Sequence, residues 1–179
     1  MRRPQVTVIG DSDCAAPIVA LAEAVGDLLA RLGVTVVSGG GGGVMEAASR
    51  GAARAGGLCV GILPSERLAD ANPWCSVVIP TGLGHARNAV TVLAGDLVVV
   101  IGGSAGTLSE IAFAWIHGRP ILTVCGSGGW ADAIGLRPID ARQTSTIRAC
   151  ADLAVLEAAV RELCAERGLP LADTAASPV

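Results

Sequence analysis

Short runs of β-branched and other apolar residues alternate along the chain with longer stretches that are rich in alanine and leucine. The runs predict strands, the last of them weakly, at residues 5–10, 34–38, 58–63, 76–80, 97–101, 120–124 and 144–149. The stretches between them predict helices at about residues 15–32, 44–55, 85–94, 107–117, 130–135 and 152–167. This alternation predicts an α/β fold, a Rossmann-like doubly wound parallel sheet of about six or seven strands with helices on both faces.

Two of the predicted helices carry an apolar face with helical spacing. On the helix at residues 107–117 this face is formed by Leu108, Ile111, Ala112 and Trp115, and on the last helix by Leu153, Leu156, Val160 and Leu163. The length of 179 residues suits a single domain, which we expect to span residues 1–168. The tail at residues 169–179 is rich in Ala, Ser and Pro and is predicted to be disordered.

Composition narrows the class of protein. Apolar residues make up 51% of the chain, but no apolar run reaches the ~18 residues of a membrane span, because Asp96 interrupts the best candidate. The residues after Met1 lack the apolar core of a signal peptide, so we expect a cytoplasmic protein without membrane contact. A net charge of −3, a single Phe and the absence of Tyr argue against nucleic-acid binding.

The basic residues and the cysteines exclude further kinds of chemistry. All 13 basic residues are arginine, and a chain without lysine has neither the Schiff base of a pyridoxal phosphate enzyme nor the lysine of a nucleoside-triphosphatase P-loop. The six cysteines form no CxxC pair and only two histidines accompany them, so we expect no metal site. The apolar surroundings of the cysteines predict reduced, buried thiols.

Five consecutive glycines lie between the second predicted strand and the second predicted helix. Glycine lets the backbone approach a ligand closely and present its N–H groups, and the helix N-terminus adds a partial positive charge. The alternative is a tight strand-to-helix turn, for which one or two glycines suffice. We therefore predict that a phosphorylated ligand contacts Gly39, Gly40, Gly41, Gly42 and Gly43.

A second strand, glycine loop and helix follow one another from residue 97 onward. We predict that the N–H groups from Gly103 to Thr107 bind a phosphate, with the hydroxyls of Ser104 and Thr107 as additional donors. The predicted ligand contacts are Gly102, Gly103, Ser104, Gly106 and Thr107. Two such loops at the carboxyl ends of parallel strands predict a shared crevice at a topological switch point.

Polar residues close to these loops are further candidates for the site. Thr107 and Glu110 fit a capping box; alternatively, Glu110 contacts ribose hydroxyls or acts as a general acid or base on a glycosidic bond. Arg87 lies near a helix N-terminus, where a cation is unfavourable, which suggests a nearby anion; the alternative is a solvated surface arginine. Asn88 is a candidate to contact a base or a ribose, and His85 suits a structural or a catalytic role equally.

These stretches together resemble the LOG, or "lysine decarboxylase-like", superfamily of Rossmann-like proteins over roughly residues 6–126. The GG-x-GT-x-x-E motif of that superfamily is matched by residues 102–110. Its upstream arginine is matched by Arg87, and its serine-plus-glycine loop by residues 38–43. The resemblance implies a ligand-binding crevice built from these three stretches.

Two branches of the superfamily imply different functions. Phosphoribohydrolases cleave the N-glycosidic bond of nucleoside 5′-monophosphates with the arginine and the motif glutamate, which correspond to Arg87 and Glu110. Molybdenum-cofactor carrier proteins and related nucleotide-binding proteins bind a phosphorylated pterin or a nucleotide. Ile101 and Asn88 stand where the hydrolases have Pro and Lys, which favours the carrier branch. The absence of lysine rules out a pyridoxal phosphate lysine decarboxylase.

The leading prediction is therefore a binding or carrier protein for a phosphorylated small molecule, a nucleoside monophosphate or a molybdopterin-type ligand, with no cofactor required. The alternative is a phosphoribohydrolase. A nicotinamide dehydrogenase comes third, because Glu66 lies about 23 residues after Gly43, yet no substrate-binding domain follows. The resemblance implies a homodimer or a homotetramer, and the high apolar share agrees with that.

Overall fold

The computed structural model describes residues 2–135, 138–142 and 144–172. These residues form one parallel sheet of seven strands in the order β4-β3-β2-β1-β5-β6-β7. The strands are β1 (Gln5–Gly10), β2 (Thr35–Ser38), β3 (Cys59–Leu63), β4 (Val77–Pro80), β5 (Leu97–Ile101), β6 (Ile121–Val124) and β7 (Ile147–Cys150). The predicted doubly wound sheet is confirmed, although β7 begins later than the expected residue 144.

Helices cover both faces of the sheet. They are α1 (Ala16–Arg31), α2 (Val44–Arg54), α3 (Arg87–Ala94), α4 (Ala105–Ile116), α5 (Gly129–Ala133) and α6 (Leu153–Glu166). One face is covered by α1, α2 and α6, and the other by α3, α4 and α5. In the part of the chain that the structure describes, no helix has the length and apolar character needed to cross a membrane.

The middle strands β1 and β5 are buried from both sides. Their register runs from Val6 beside Leu97 to Gly10 beside Ile101. Apolar residues on both faces of a strand are typical of parallel sheets with helices on each side, which explains the near-continuous apolar runs in the sequence. Beyond the ends of these two strands the chain leaves toward opposite faces, into α1 and α4 respectively. The crevice between them is the topological switch point, where such folds bind ligands.

Close packing of α1 on α2 depends on two glycines. A Cβ atom on Gly26 would lie 2.0 Å from the carbonyl oxygen of Ala48, and one on Gly51 would lie 1.9 Å from that of Glu23. Only glycine permits this approach of the two helix backbones. The contact fixes α2, and with it the glycine loop at the N-terminus of α2.

The buried face of α4 differs from the predicted one. The structure buries Thr107, Glu110, Ile111, Ala114 and Trp115, whereas the predicted face members Leu108 and Ala112 are only half-buried. The face is rotated because α4 packs against α3 as well as the sheet. This rotation matters for the site, since it turns Glu110 toward the protein interior.

Two further sequence predictions are corrected by the packing. Leu169 and Leu171 contact the core, and the N–H of Ala172 donates to the carbonyl of Leu32 at 2.9 Å, so the packed domain continues past residue 168. The rest of the predicted disordered tail lies outside the described residues. The prediction of buried thiols is wrong for Cys125, which follows β6 in an exposed loop; the fully buried cysteines are Cys59, Cys150 and Cys164.

Candidate functional site

The two glycine loops meet at the switch point and are joined through Asp11. Loop 39–43 follows β2, loop 102–104 follows β5, and Asp11 follows β1. The carbonyl oxygen of Asp11 accepts a hydrogen bond from the Val44 N–H at 2.9 Å, and its Oδ2 accepts one from the Gly103 N–H at 2.9 Å. The structure therefore brings the predicted loops together at one edge of the sheet.

Packing explains much of the glycine content of loop 39–43. A Cβ atom on Gly39 would lie 2.4 Å from Nη1 of Arg87, so this glycine makes room for the guanidinium. Gly40 and Gly43 have φ values of 72° and 60°, which favour glycine. The tight-turn alternative thus accounts for part of the glycine run, and Arg87 accounts for another part.

Asn72 and Ser38 anchor this loop. Asn72 donates from its backbone N–H to the Gly40 carbonyl at 2.8 Å and from Nδ2 to the Gly41 carbonyl at 3.1 Å. Ser38 Oγ accepts from the Gly40 N–H at 3.2 Å. Within the described residues, the N–H groups of Gly41 and Gly42 form no hydrogen bond and remain open to a ligand.

The second glycine loop is partly filled by the protein's own side chains. The N–H of Gly102 donates to Ser127 Oγ at 2.8 Å, and the N–H of Gly103 donates to the Asp11 carboxylate. The Gly103 N–H, which we expected to bind phosphate, is instead held by Asp11. The phosphate-binding prediction therefore has to rest on the amides that follow.

Those amides form the open N-terminus of α4. Ser104 is the N-cap, and the first helical bond runs from the Leu108 N–H to the Ser104 carbonyl at 2.9 Å. The N–H groups of Ala105, Gly106 and Thr107 have no partner among the described residues, as expected for a first turn. Apart from its chain neighbours and the backbone of its own helix, no atom of the described residues lies within 4 Å of a Cβ built on Gly106. This terminus has the free donors and the dipole that suit an anion.

Arg87, the first residue of α3, is buried beside these loops. The residue is only 9% exposed, which excludes the alternative of a solvated surface arginine. Its Nη1 donates to Thr91 Oγ1 at 3.2 Å and lies 3.9 Å from Glu110 Oε1, while its Nε is buried without a partner. Burial lowers the pKa of the guanidinium, and the nearby Glu110 offsets only part of that. Arg87 therefore carries a positive charge that the described residues do not fully compensate.

Glu110 faces Arg87 from α4 and does not form the capping box that its spacing suggests. Thr107 is the third residue of α4 rather than its N-cap, so Glu110 has no N-cap N–H to accept from. The residue is 7% exposed, and burial raises the pKa of its carboxyl to about 7 against the opposing effect of Arg87. A carboxyl that titrates near neutral pH is able to act as a general acid or base.

The other predicted site residues take different positions. Asn88 is buried, and its Nδ2 donates to Ser109 Oγ at 2.8 Å, so it ties α3 to α4 with the group that was expected to contact a ligand. His85 is exposed in the turn before α3. Ser104 is exposed at the mouth of the crevice, whereas Thr107 is buried beneath it. The motif match at residues 102–110 is therefore inexact, because Ser104 and Ala105 separate the glycine pair from Gly106 where the superfamily motif has one residue.

Two other regions of the described structure differ in chemistry from this site. A groove of about 460 Å³ on the outer side of α1, α2 and α6 is lined by Ala20, Glu23, Ala24, Asp27, Leu28, Gly51, Arg54 and Leu153. In the glycine loop after β6, the Asp132 carboxylate already accepts from the N–H groups of Gly126 and Gly128 at 2.8 Å each. Among the described residues, no group of three or more His, Cys, Asp or Glu side chains is placed to hold a metal ion.

Comparisons with known proteins agree with this fold. The model of the SLOG cluster4 family matches residues 3–151. An uncharacterised protein of Archaeoglobus fulgidus is 40% identical over 124 residues, which cover 69% of this chain and 82% of that protein.

Two solved structures resemble this chain over most of its length. The molybdenum cofactor binding protein of the phototrophic bacterium Rippkaea orientalis is 31% identical with a TM-score of 0.79, covering 91% of this chain and 98% of its own. The molybdenum cofactor carrier protein of Chlamydomonas reinhardtii is 30% identical with a TM-score of 0.80, covering 92% of this chain and 99% of its own.

Proposed function

Because the chain belongs to the SLOG cluster4 family, whose model spans residues 3–151, we propose that it binds and carries a phosphorylated, nucleotide-like small molecule. The ligand class is a nucleoside monophosphate or a molybdopterin-type compound. Its phosphate binds at the N-terminus of α4 and at loop 39–43, and the rest of the molecule lies in the crevice beyond β1 and β5.

The observation that carries this proposal is the incompletely paired charge of Arg87. A buried guanidinium is expensive unless an anion and hydrogen-bond acceptors surround it. Here the nearest carboxylate oxygen is 3.9 Å away, beyond hydrogen-bonding distance, and Nε has no partner. A phosphate group supplies both the charge and several acceptor oxygens, and arginine recognises it well.

The relatives support the carrier role over a catalytic one. Two solved structures that resemble nearly the whole chain belong to proteins whose names state that they bind or carry the molybdenum cofactor. We propose a molybdopterin-type compound as cargo on this basis, with a nucleoside monophosphate as the alternative cargo. Both present a phosphate beside a planar, hydrogen-bonding ring system, and the crevice recognises the phosphate that they share.

Identification of the bound molecule tests the proposal most directly. The protein is purified in phosphate-free buffer and denatured, and the released small molecules are examined by mass spectrometry. Recovery of a nucleotide or a pterin phosphate in stoichiometric amount is the expected result. Calorimetric titration with AMP then measures affinity directly.

Two variants make that titration specific to the site. Gly106→Asp adds a carboxylate at the second residue of α4, where the free protein has open space, and should weaken AMP binding at least about tenfold. Ala154→Asp adds the same group at the second residue of α6 and should leave AMP binding unchanged. Equal affinity in both variants would remove the α4 terminus from the proposed site.

Glu110 favours a second candidate function, phosphoribohydrolase activity. Its pKa of about 7 and its position beside Arg87 are the properties of a general acid or base near a bound phosphoribosyl group. In that role Arg87 would orient the phosphoribosyl group, and Glu110 would assist charge development at the anomeric carbon or activate water.

Incubation with AMP distinguishes the hydrolase from the carrier. A hydrolase releases adenine and ribose 5-phosphate, and Glu110→Gln should abolish that release while AMP still binds. If no nucleotide yields a free base although the protein binds it, the hydrolase is excluded and the carrier remains.

We also propose that the protein assembles as a homodimer or a homotetramer through α3 and α4. Val90 and Leu93 on α3 and Ile116 on α4 are each at least 40% exposed, and exposed apolar residues on adjoining helices favour self-association. Light scattering measures the state in solution. Val90→Glu should yield a monomer if this face forms the contact. A cytoplasmic location stays a prediction from the sequence.

A further inference from the structure

Asp11 places a carboxylate on the second glycine loop, next to the α4 N-terminus at which we propose that a phosphate binds. Its carboxylate is fixed by the 2.9 Å hydrogen bond from the Gly103 N–H, and its backbone is fixed by the Val44 N–H. A Cβ atom on Gly43 would lie 2.3 Å from the Asp11 carbonyl oxygen, so the loop after β1 packs closely against the start of α2. Asp11 therefore has little freedom to swing out of the crevice.

The Asp11 charge also lacks a basic partner. Within the described residues, no arginine or histidine nitrogen lies within 4.0 Å of the Asp11 carboxylate. By contrast, Arg2 and Asp96 pair closely at the opposite edge of the sheet. The negative field of Asp11 thus acts on whatever enters the crevice.

We propose that Asp11 determines which phosphate ligands the site accepts: it admits a single phosphate group and disfavours pyrophosphate-linked and polyphosphate compounds. This inference rests on the proposed phosphate site at α4 and names the ligand class within it. The carboxylate replaces a ligand oxygen at the Gly103 N–H, so the loop has no free donor there for a second phosphate. Its charge repels that second group as well.

The geometry of the loop sets the scale of this repulsion. Consecutive Cα atoms are about 3.8 Å apart, so a phosphate on the amides of residues 105–107 lies within about 10 Å of the carboxylate at Gly103. A second phosphate directed toward Gly103 comes closer still. Across such distances in a partly buried crevice, each additional negative charge weakens binding about tenfold.

The substitution Asp11→Asn isolates the charge from the structural role. The amide oxygen of asparagine still accepts from the Gly103 N–H, while the negative charge is lost. Asp11→Ala removes the acceptor and the charge together. The shift in its midpoint of urea unfolding measures how much the hydrogen bond to Gly103 contributes to stability. Asp27→Asn on α1 removes one negative charge from an exposed ion pair and serves as the control for net charge.

Calorimetry measures the dissociation constants of AMP and ADP, and of phosphate and pyrophosphate, for each protein at two salt concentrations. We expect the ratio of Kd for ADP to Kd for AMP to fall about tenfold in Asp11→Asn and to stay unchanged in Asp27→Asn. At high salt, the difference in this ratio between the wild-type protein and Asp11→Asn should become smaller. An unchanged ratio in an Asp11→Asn protein that still binds AMP or phosphate overturns the inference alone. If the wild-type protein binds none of the four probes, the proposed function itself is overturned.

Discussion

Replacing Glu110 with Gln should stabilise the protein at neutral and alkaline pH and flatten the dependence of its stability on pH. Glu110 is buried, and its nearest cationic nitrogen is 3.9 Å away on Arg87. Burial without a close partner raises the pKa of its carboxyl from 4.5 to about 7. Glutamine has nearly the same shape and stays neutral at every pH.

The magnitude follows from the difference between the folded and unfolded pKa values. Each pKa unit corresponds to about 1.4 kcal/mol, so ionising Glu110 costs the folded state about 3 kcal/mol relative to the unfolded chain. Because the folded pKa is the higher one, the wild-type protein loses this stability as pH rises from about 4.5 to about 7, and the loss is complete above that. The variant does not incur this loss.

Urea unfolding at several pH values between 4.5 and 8, in phosphate-free buffer, measures the difference between the two proteins. Phosphate is omitted because a ligand that binds only the folded state would add its own stabilisation. All other titrating groups are common to both chains, so the difference in free energy of unfolding isolates Glu110. We expect it to be near zero at pH 4.5 and to grow to at most about 3 kcal/mol in favour of the variant at pH 8. A difference that stays constant across this range would refute the assignment of Glu110 as an uncompensated buried carboxyl.

Three further substitutions test the fold and the site. Gly106→Ala should raise the free energy of unfolding by up to about 1 kcal/mol, because alanine is the better helix former and has open space there, yet it should weaken AMP binding in calorimetry. Gly26→Ala should lower stability in urea by about 2 kcal/mol or more, because its Cβ meets the Ala48 carbonyl; unchanged stability would contradict the close α1–α2 contact. Asp152→Ala should cost about 1 kcal/mol in the same assay, because Asp152 caps α6 through the Val155 N–H, and Asp152→Asn should restore most of it.

The positions of strands and helices follow from local patterns, and the sequence predicts them well. Apolar runs next to glycine predict β1, β2 and β5 correctly, because buried parallel strands need apolar residues on both faces. Prediction was weakest at β7, an edge strand whose residues are mostly half-buried or exposed, so that its apolar signal is diluted.

The candidate site was only partly predictable. The glycine loops are predictable because glycine runs between a strand and a helix have a recognisable spacing. Arg87 is predictable because a cation near a helix N-terminus suggests an anion, and Glu110 because it is a carboxylate beside the second loop. Asp11 was missed, since one aspartate after a strand carries no signal of its own. Its role appears only when the chain brings it to Gly103, 92 residues away.

The sequence by itself determined a parallel α/β sheet with glycine-rich turns at one edge, because both properties depend on neighbours close in the chain. Only the tertiary structure decided which backbone amides stay open, that Arg87 and Glu110 are buried as an incompletely paired couple, and that Asp11 occupies one donor of the second loop. These outcomes depend on desolvation and on contacts between residues far apart in sequence. A local sequence pattern predicts neither the desolvation of a side chain nor its contacts with distant residues.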